Sequence, residues 1–265
     1  MIFDTHAHVF VRGLPLAQHC RYVPDYDATP ENYITHLDQF GIDIGVLVQP
    51  SFLGTDNHYM LDALRRYPTR FRGVAVVAPG ITYAELDEMA QLGVIGIRLN
   101  LIGTELPDLS LPEWQKLLGH VRALGWHVEL HRAASDLPDL VRALLKAEVK
   151  VVIDHFGLPS QEYKQNDPGF KFLLEQAASK KIWVKLSGAY RNGGAATVDK
   201  NVVPLIPLLL QYFGSSHLLW GSDWPHTRFE NAFNYQKTFD LLKIEIPDEE
   251  IRKNILSNSA ELLID

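Results

Sequence analysis

Short apolar runs rich in β-branched residues alternate with longer amphipathic segments along the whole chain of 265 residues. Near-continuous apolar runs are typical of strands that are covered on both faces, as in parallel sheets. Eight such strands alternating with helices predict an α/β fold, a single (β/α)8 TIM barrel that takes up residues 1–265 as one domain. The predicted strands are Ile2–His8, Ile44–Gln49, Phe71–Val77, Val94–Asn100, His127–His131, Val151–His155, Trp183–Ser187 and Leu218–Asp223.

The amphipathic segments carry signals for the beginning and the end of a helix. Thr29 and Pro30 form an N-cap and first-turn pair, and Gly93 is a typical helix stop. Pro204 and Pro207 are expected to move the start of the last predicted helix toward the C-terminus. The predicted helices are Thr29–Phe40, Tyr83–Leu92, Leu111–Leu124, Ser135–Lys146 and Asp199–Phe213, with a further one opening at Thr55-Asp56-Asn57.

Composition excludes several classes of protein. The formal net charge is −7 and no basic stripe with interleaved aromatic residues is present, which disfavours nucleic-acid binding. Cys20 is the only cysteine, so no intramolecular disulfide can form, and a cytoplasmic location is expected. Neither a signal peptide nor an apolar run of about 18 residues is visible, so no membrane association is expected. A homo-oligomer is left open.

Metal-competent and acid–base side chains end four of the predicted strands. His6 and His8 end the first strand, and residues two apart on a strand point to the same side. His131, His155 and Asp223 end the fifth, sixth and eighth strands. In a barrel these strand ends meet at the C-terminal face, where active sites lie. The alternative is that they are hydrogen-bonded core histidines and an aspartate that caps a helix.

Several neutral imidazoles and one carboxylate are the ligand set that a divalent ion such as Zn²⁺ prefers. Such an ion lowers the pKa of a bound water from about 15.7 to near 7, which provides hydroxide at neutral pH. A further histidine or the aspartate would then transfer the proton. The single cysteine excludes a structural zinc site built from thiolates.

These strand-end residues resemble, in order and in position, the pattern of the amidohydrolase superfamily, and in particular its mononuclear branch. The resemblance implies that His6, His8, His131 and Asp223 would ligate one divalent metal, with Zn²⁺ as the expected ion. It also implies that His155 would act as proton shuttle or electrophile. Asp223 would take a proton from the attacking water.

A closer resemblance covers nearly the whole chain. Five segments resemble the 2-pyrone-4,6-dicarboxylate lactonase group of the same superfamily, which opens cyclic esters. They are residues 51–57, 96–100, 126–128, 153–159 and 220–226. The resemblance implies a metal-dependent or metal-assisted lactone hydrolase in which activated water attacks the ring carbonyl.

The chain departs from the pyrone enzyme at positions that bear on metal and substrate. His131 stands where that enzyme, which works without a divalent metal, has a tyrosine; the metal set is thus complete here, and metal-free catalysis stays open. Gly103 and Leu158 replace basic residues for substrate carboxylates, whereas Arg98 and Arg191 are kept. The resemblance therefore implies a lactone with fewer carboxylates, or a different ring such as a sugar lactone.

Five further residues are candidates for substrate binding. Arg98, on a strand end, would hold a carboxylate with its planar guanidinium; the alternative is an ion pair with a buried aspartate. Arg191 and Tyr190 lie on a glycine-rich loop after the seventh strand, where an exposed loop arginine is the alternative. Ser51 is a candidate hydrogen-bond donor. His226 is a candidate substrate contact, support for the site, or helix cap.

Two other functions stay open. A decarboxylase of the same superfamily, acting on an aromatic or unsaturated carboxylic acid, would use nearly the same ligands. A barrel that binds a small carboxylate or lactone without turnover is the third reading. The loop over residues 12–28 follows the first strand, and the sequence does not settle whether it folds over the mouth as a lid.

Overall fold

The structure, a computed structural model, describes residues 1–18 and 20–264. Its centre is a sheet of eight parallel strands, in which each strand pairs with the next one along the chain. The strands are β1 (Phe3–Ala7), β2 (Ile44–Val48), β3 (Phe71–Ala75), β4 (Val94–Asn100), β5 (His127–His131), β6 (Lys150–Ile153), β7 (Ile182–Leu186) and β8 (Leu218–Trp220).

The first strand meets the segment that follows the last strand, and this contact closes the sheet into a barrel. The backbone N–H of Asp223 donates to the carbonyl of His6 at 2.8 Å, and the N–H of His8 donates to the carbonyl of Trp224 at 2.8 Å. Gly221 has no side chain beside β1, where a Cβ would lie 2.6 Å from the Cβ of His6. The predicted (β/α)8 barrel is therefore confirmed.

Helices surround this barrel and follow the predicted capping signals. Thr29 and Thr82 each form a capping box at the start of a helix, and Gly41, at φ 67°, ends the first one. The helices are α1 (Pro30–Phe40), α2 (His58–Arg66), α3 (Tyr83–Gln91), α4 (Pro112–Ala123), α5 (Leu137–Lys146), α6 (Pro168–Glu175), α7 (Val198–Asn201), α8 (Ile206–Phe213), α9 (Tyr235–Glu245), α10 (Glu249–Lys253) and α11 (Ser259–Ile264). Among residues 1–18 and 20–264, no helix combines the length and apolarity that a membrane crossing requires.

Six strands, all but the fourth and the fifth, end one to three residues earlier than the sequence predicts. The sixth ends at Ile153 rather than His155, and the eighth at Trp220 rather than Asp223. His155 and Asp223 have φ angles of 50° and 58°, in the left-handed region, which a strand cannot contain. As predicted, the prolines divide the segment before β8, so α8 begins only at Ile206. Helices α6, α9, α10 and α11 were not among the predicted ones.

The loop over residues 12–28 returns along the barrel mouth. Phe10 and Ala28 form an antiparallel bridge at its base, and the N–H of Ala17 donates to the carbonyl of Phe52 at 2.8 Å. His19, within this loop, and Asp265, the last residue of the predicted domain, lie outside the described residues.

Candidate active site

The five strand-end residues named by the sequence meet in one place at the barrel mouth. All of them are buried. Ring centroids lie 5.0 Å apart between His6 and His8, 4.9 Å between His6 and His155, and 4.8 Å between His131 and His155. Ligand atoms of His6, His155 and Asp223 all lie within 4.8 Å of one another.

Asp223 is the carboxylate among these five residues, and it accepts three side-chain hydrogen bonds. Tyr190 donates its hydroxyl to Oδ2 at 2.7 Å, and Arg191 donates Nε to Oδ2 at 2.6 Å and a second N–H to Oδ1 at 3.1 Å. Burial alone would raise the pKa of Asp223, but the positive charge of Arg191, which is bonded to both of its oxygens, holds it well below its usual range. Asp223 is therefore a carboxylate at neutral pH.

The imidazoles around it are neutral at the same pH. Burial lowers the pKa of His155 to about 4, against the opposing charge of Asp223. Burial also lowers the pKa of His8, and with nearby positive charge it takes the pKa values of His6 and His131 well below their usual range. The site thus combines one ionised carboxylate with four uncharged rings.

The backbone here is held in an unfavourable conformation. His155, Asp223 and His226 have φ angles of 50°, 58° and 65°, which side-chain-bearing residues rarely adopt. Gly188 faces the first two: a Cβ there would lie 2.7 Å from Asp223 Oδ2 and 2.8 Å from His155 Nδ1. Such outliers persist only where the surrounding structure fixes them, and they concentrate at functional sites.

His6, His8 and Asp223 suit a metal ion by their chemistry. His8 Nδ1 lies 2.7 Å from the carbonyl of Val48, which can only accept, so the neutral ring keeps its proton on Nδ1. Its Nε2 lone pair then faces Asp223 Oδ1 at 3.6 Å. His6 Nε2 is buried, has no hydrogen-bond partner among the described residues, and lies 3.8 Å from the same oxygen. A cation would satisfy all three atoms.

His131 is arranged differently. Arg98 donates a guanidinium N–H to His131 Nδ1 at 3.3 Å, which leaves the proton of the neutral ring on Nε2. In this arrangement His131 presents a hydrogen-bond donor. Its ring packs edge-on against His155, so it borders the group formed by His6, His8 and Asp223.

A cluster of buried ionisable side chains lies beneath the histidines. Lys185 on β7 bonds with Glu129 and lies 3.1 Å from His6 Nδ1. Arg98 donates to Asp154 Oδ2 at 2.7 Å and lies 3.3 Å from Glu129. Burial and the neighbouring charge of Asp154 raise the pKa of Glu129 to about 8. The predicted alternative for Arg98, a buried ion pair, is present.

A cavity opens above these residues. Of the predicted substrate-binding residues, Ser51, Arg98 and Arg191 line it. Tyr190 and His226 do not; they lie behind Asp223, where the Tyr190 hydroxyl is 3.0 Å from His226 Nδ1.

Three basic residues of this region were not predicted from the sequence. Arg21 and Arg228 also line the cavity, and Lys185 lies beneath it. A lysine inside an otherwise apolar strand is a signal that could have identified Lys185, because lysine is seldom fully buried without a partner. Arg21 and Arg228 lie in irregular loops, where no periodicity indicates which side chain points inward.

A parallel (β/α)8 barrel with imidazoles and a carboxylate converging at the C-terminal ends of its strands defines a class of hydrolytic barrel enzymes. The chain belongs to the amidohydrolase family, whose sequence profile matches residues 3–264.

Three individual relatives are similar to this chain over most of its length. A 4-sulfomuconolactone hydrolase from Rhizobium radiobacter is 32% identical over 269 residues, which cover 98% of this chain and 89% of the relative. A 2-pyrone-4,6-dicarboxylate hydrolase from Comamonas testosteroni is 30% identical over 239 residues, covering 86% and 78%. The crystal structure of a probable 2-pyrone-4,6-dicarboxylic acid hydrolase from Acinetobacter baumannii with citric acid bound has a TM-score of 0.96 and 39% identity, covering 99% of this chain and 98% of that one. The predicted resemblance is confirmed.

Proposed function

We propose that this protein is a hydrolase that opens a lactone bearing at least one anionic group. The observation that carries the proposal is the pairing of an ionised Asp223 with a neutral His155, both buried below a cavity with arginines in its wall. Two of the relatives above are named as hydrolases of anionic lactones. By these names, one lactone carries a sulfonate and the other carries two carboxylates. Arginines in the wall suit such substrates.

The chain's own residues divide the proposed reaction between them. Asp223 takes a proton from water as its oxygen attacks the ring carbonyl carbon. His155 Nδ1 lies 2.9 Å from the hydroxyl of Ser187 and 3.3 Å from its carbonyl oxygen. In the tautomer whose Nδ1 accepts from the nearer hydroxyl, the proton on Nε2 stabilises the oxygen that becomes negative. The ring C–O bond then breaks, and the proton on Asp223 passes to the departing oxygen.

Arg191 gives the substrate a way to activate Asp223. Its guanidinium is shared between the cavity and both oxygens of Asp223. A substrate carboxylate that binds Arg191 competes with Asp223 for the same N–H groups. Because the charge of Arg191 is the largest influence lowering the pKa of Asp223, loosening this pair raises that pKa and strengthens the base.

His6, His8 and Asp223 would hold a divalent metal, with His131 and His155 beside them, and Zn²⁺ is the ion we propose for these nitrogen and oxygen ligands. Such an ion would supply Lewis acidity and lower the pKa of water. For His131 to ligate the metal, one of two changes is required. Either Arg98 gives up its hydrogen bond to Nδ1, or Nε2 loses its proton.

The test follows proton release with a pH indicator against a panel of lactones. The panel contains 2-pyrone-4,6-dicarboxylate, a sulfonated muconolactone and neutral aldonolactones, and native protein is compared with chelator-treated protein of measured metal content. We expect turnover of an anionic lactone. Loss of turnover on chelation, with recovery on adding Zn²⁺, would support a metal-dependent reaction. Turnover without metal would mean that His155 and Asp223 carry out the reaction without an ion.

Asp223→Asn tests the base itself. The amide keeps the shape but cannot accept a proton, so we expect kcat to fall about 10²- to 10⁴-fold. Asp62→Asn removes an exposed carboxylate on α2 and serves as the matched control. Full turnover by Asp223→Asn would refute the mechanism.

The decarboxylase alternative is tested by the same preparation. Release of CO2 from an aromatic carboxylic acid, with silence across the lactone panel, would replace the proposed function. The relatives named above favour lactone hydrolysis. Organisation of residues 1–265 as one domain, the absence of nucleic-acid binding, a homo-oligomer and a cytoplasmic location stay predictions from the sequence.

A further inference from the structure

Four arginines line the cavity, and they fall into two pairs. Arg98 and Arg191 lie at its floor, and each is bonded to a buried carboxylate, Asp154 and Asp223 respectively. Arg21 and Arg228 lie at its exposed rim. Within residues 1–18 and 20–264, no carboxylate oxygen lies within 4.0 Å of the guanidinium of either rim arginine.

Arg21 reaches the cavity across the end of β4. It donates a guanidinium N–H to the side-chain oxygen of Asn100 at 3.1 Å. Its Cδ lies 3.6 Å from the point where a Cβ on Gly103 would stand. Arg21 thus packs beside Gly103 at ordinary van der Waals distance and places a positive charge at this edge of the cavity from a different loop.

Arg228 reaches the same rim from the loop after β8, and that loop is tied to the loop of Arg21. Glu230 Oε1 accepts hydrogen bonds from the hydroxyl of Tyr22 at 2.9 Å, the hydroxyl of Tyr26 at 2.8 Å and the backbone N–H of Arg228 at 2.9 Å. The carboxylate of Glu230 thus joins Tyr22, the residue after Arg21, to the backbone of Arg228. Both guanidinium groups remain open to the cavity.

The two rim charges face further positive charge. Partial burial lowers the pKa of Arg21, and the charges of Arg98, Arg191 and Arg228 lower it further. Like charges that are held together without an anion repel one another, and an anion placed among them relieves that repulsion. Planar guanidinium groups suit carboxylates and sulfonates in particular.

We propose that Arg21 and Arg228 form an anion subsite at the rim, which binds an anionic substituent of the substrate remote from the reacting carbonyl. This inference rests on the proposed function for the identity of the substrate, a lactone with an anionic group that reaches the rim. The subsite itself is independent of turnover. The two arginines are therefore specificity-determining residues rather than catalytic ones.

Citrate is the binding probe, because it carries three carboxylates and no lactone ring. Titration calorimetry measures its Kd for the native protein and for Arg21→Gln, Arg228→Gln and the double variant. We expect each single change to weaken binding about threefold to tenfold, and the double change to weaken it more. Arg65→Gln removes an exposed charge from α2 and should leave the Kd within about twofold.

The lactone assay provides a second readout. The Gln variants should raise KM for an anionic lactone and leave kcat near its native value, while KM for a neutral aldonolactone stays unchanged. Arg21→Lys should recover part of the loss, since it restores the charge without the planar fork. Melting temperatures close to that of the native protein show that the variants fold.

The outcomes separate the two proposals. If no lactone is hydrolysed, the proposed function fails, and the citrate titration still decides the role of Arg21 and Arg228. If lactones are hydrolysed but both Gln variants match native protein in citrate Kd and in KM, the rim subsite is refuted alone. Absence of citrate binding to native protein at millimolar concentration would also refute it.

Discussion

At the scale of single residues, the site depends on a glycine as much as on its ionisable groups. Gly188 lies beside Asp223 and His155 at a φ angle of 53°, and neither atom that faces it leaves room for a methyl group. Arg191 Cδ would be 3.1 Å from the added carbon. Any side chain at this position must displace the pair that we propose carries the reaction.

Gly188→Ala is therefore expected to lower kcat about 100-fold, since displacing catalytic groups by about 1 Å can have that effect. The substitution also lowers the stability of the fold by about 1–2 kcal/mol, because alanine is strained in the left-handed region. Gly41→Ala is the matched control: Gly41 has a φ of 67°, and among the described residues no atom beyond its two chain neighbours lies within 4 Å of the added carbon. Steady-state kinetics and thermal melting separate the two effects. Equal loss of kcat in both variants would contradict the argument.

Residue type determined how much of the site could be predicted. His6, His8, His131, His155 and Asp223 were identifiable because each interrupts or follows an apolar run, and the barrel brings strand ends together. Their individual hydrogen bonds could not be predicted. Whether His131 offers a lone pair or an N–H is set by Arg98, 33 positions earlier, and sequence spacing carries no information on such a contact.

At the scale of elements, the two loops at the mouth are fastened to each other rather than to the barrel alone. Glu230, after β8, accepts from Tyr22 and Tyr26 in the loop over residues 12–28. Burial and Glu230 raise the pKa of Tyr22 to about 12, so its hydroxyl stays a donor over the physiological range. This connection fixes the position of the rim above the cavity.

Glu230→Ala should release the loop over residues 12–28. Charge-assisted hydrogen bonds are lost, so we expect a loss of about 1–3 kcal/mol in the free energy of unfolding and a Tm lower by about 2–4 °C for each kcal/mol. Limited proteolysis should cut within residues 12–28 faster than in the native protein. Glu148→Ala, which breaks an exposed ion pair with Arg122, is the control and should change neither rate nor Tm appreciably. Unchanged proteolysis of Glu230→Ala would show that other contacts hold the loop.

Elements were predictable where local signals agreed and were missed where tertiary contacts decide. The eight strands follow from their apolar runs, α1 follows from its N-cap pair Thr29 and Pro30, and α3 follows from the helix stop at Gly93. The ends of β6 and β8 could not be placed, because the left-handed backbone at His155 and Asp223 is imposed by neighbouring chain segments rather than by a glycine. The same holds for the tie through Glu230, which joins residues more than 200 positions apart.

At the scale of the whole molecule, the barrel buries titratable groups at both of its ends. His127 begins β5 at the end opposite the site and is buried. Burial, with the charges of Lys185 and Lys150, lowers its pKa to about 3. An unfolded histidine titrates near its ordinary value of 6.5. Between these two pH values, His127 binds a proton in the unfolded chain but not in the folded protein.

The stability contributed by His127 is therefore complete above about pH 6.5 and is lost as the pH falls toward 3, by about 1.4 kcal/mol per pH unit. His155 and His226, with pKa values of about 4, act in the same direction, whereas Glu129, with its pKa raised to about 8, acts in the opposite one. The total slope mixes these groups, so a difference between variants is needed to isolate one.

His127→Gln supplies that difference. Urea unfolding at pH 7, 6 and 5 should give a free energy of unfolding that falls less steeply with acid than in the native protein, by up to about 1.4 kcal/mol per pH unit. Val128→Ala, on the same strand, should lower the free energy at every pH without changing the slope, because it removes buried apolar volume and no titratable group. If the free energy of unfolding of His127→Gln falls with acid as steeply as that of the native protein, the result would mean that His127 accepts a proton in the folded barrel. The charges of Lys185 and Lys150 would then be screened from His127 more than their burial implies.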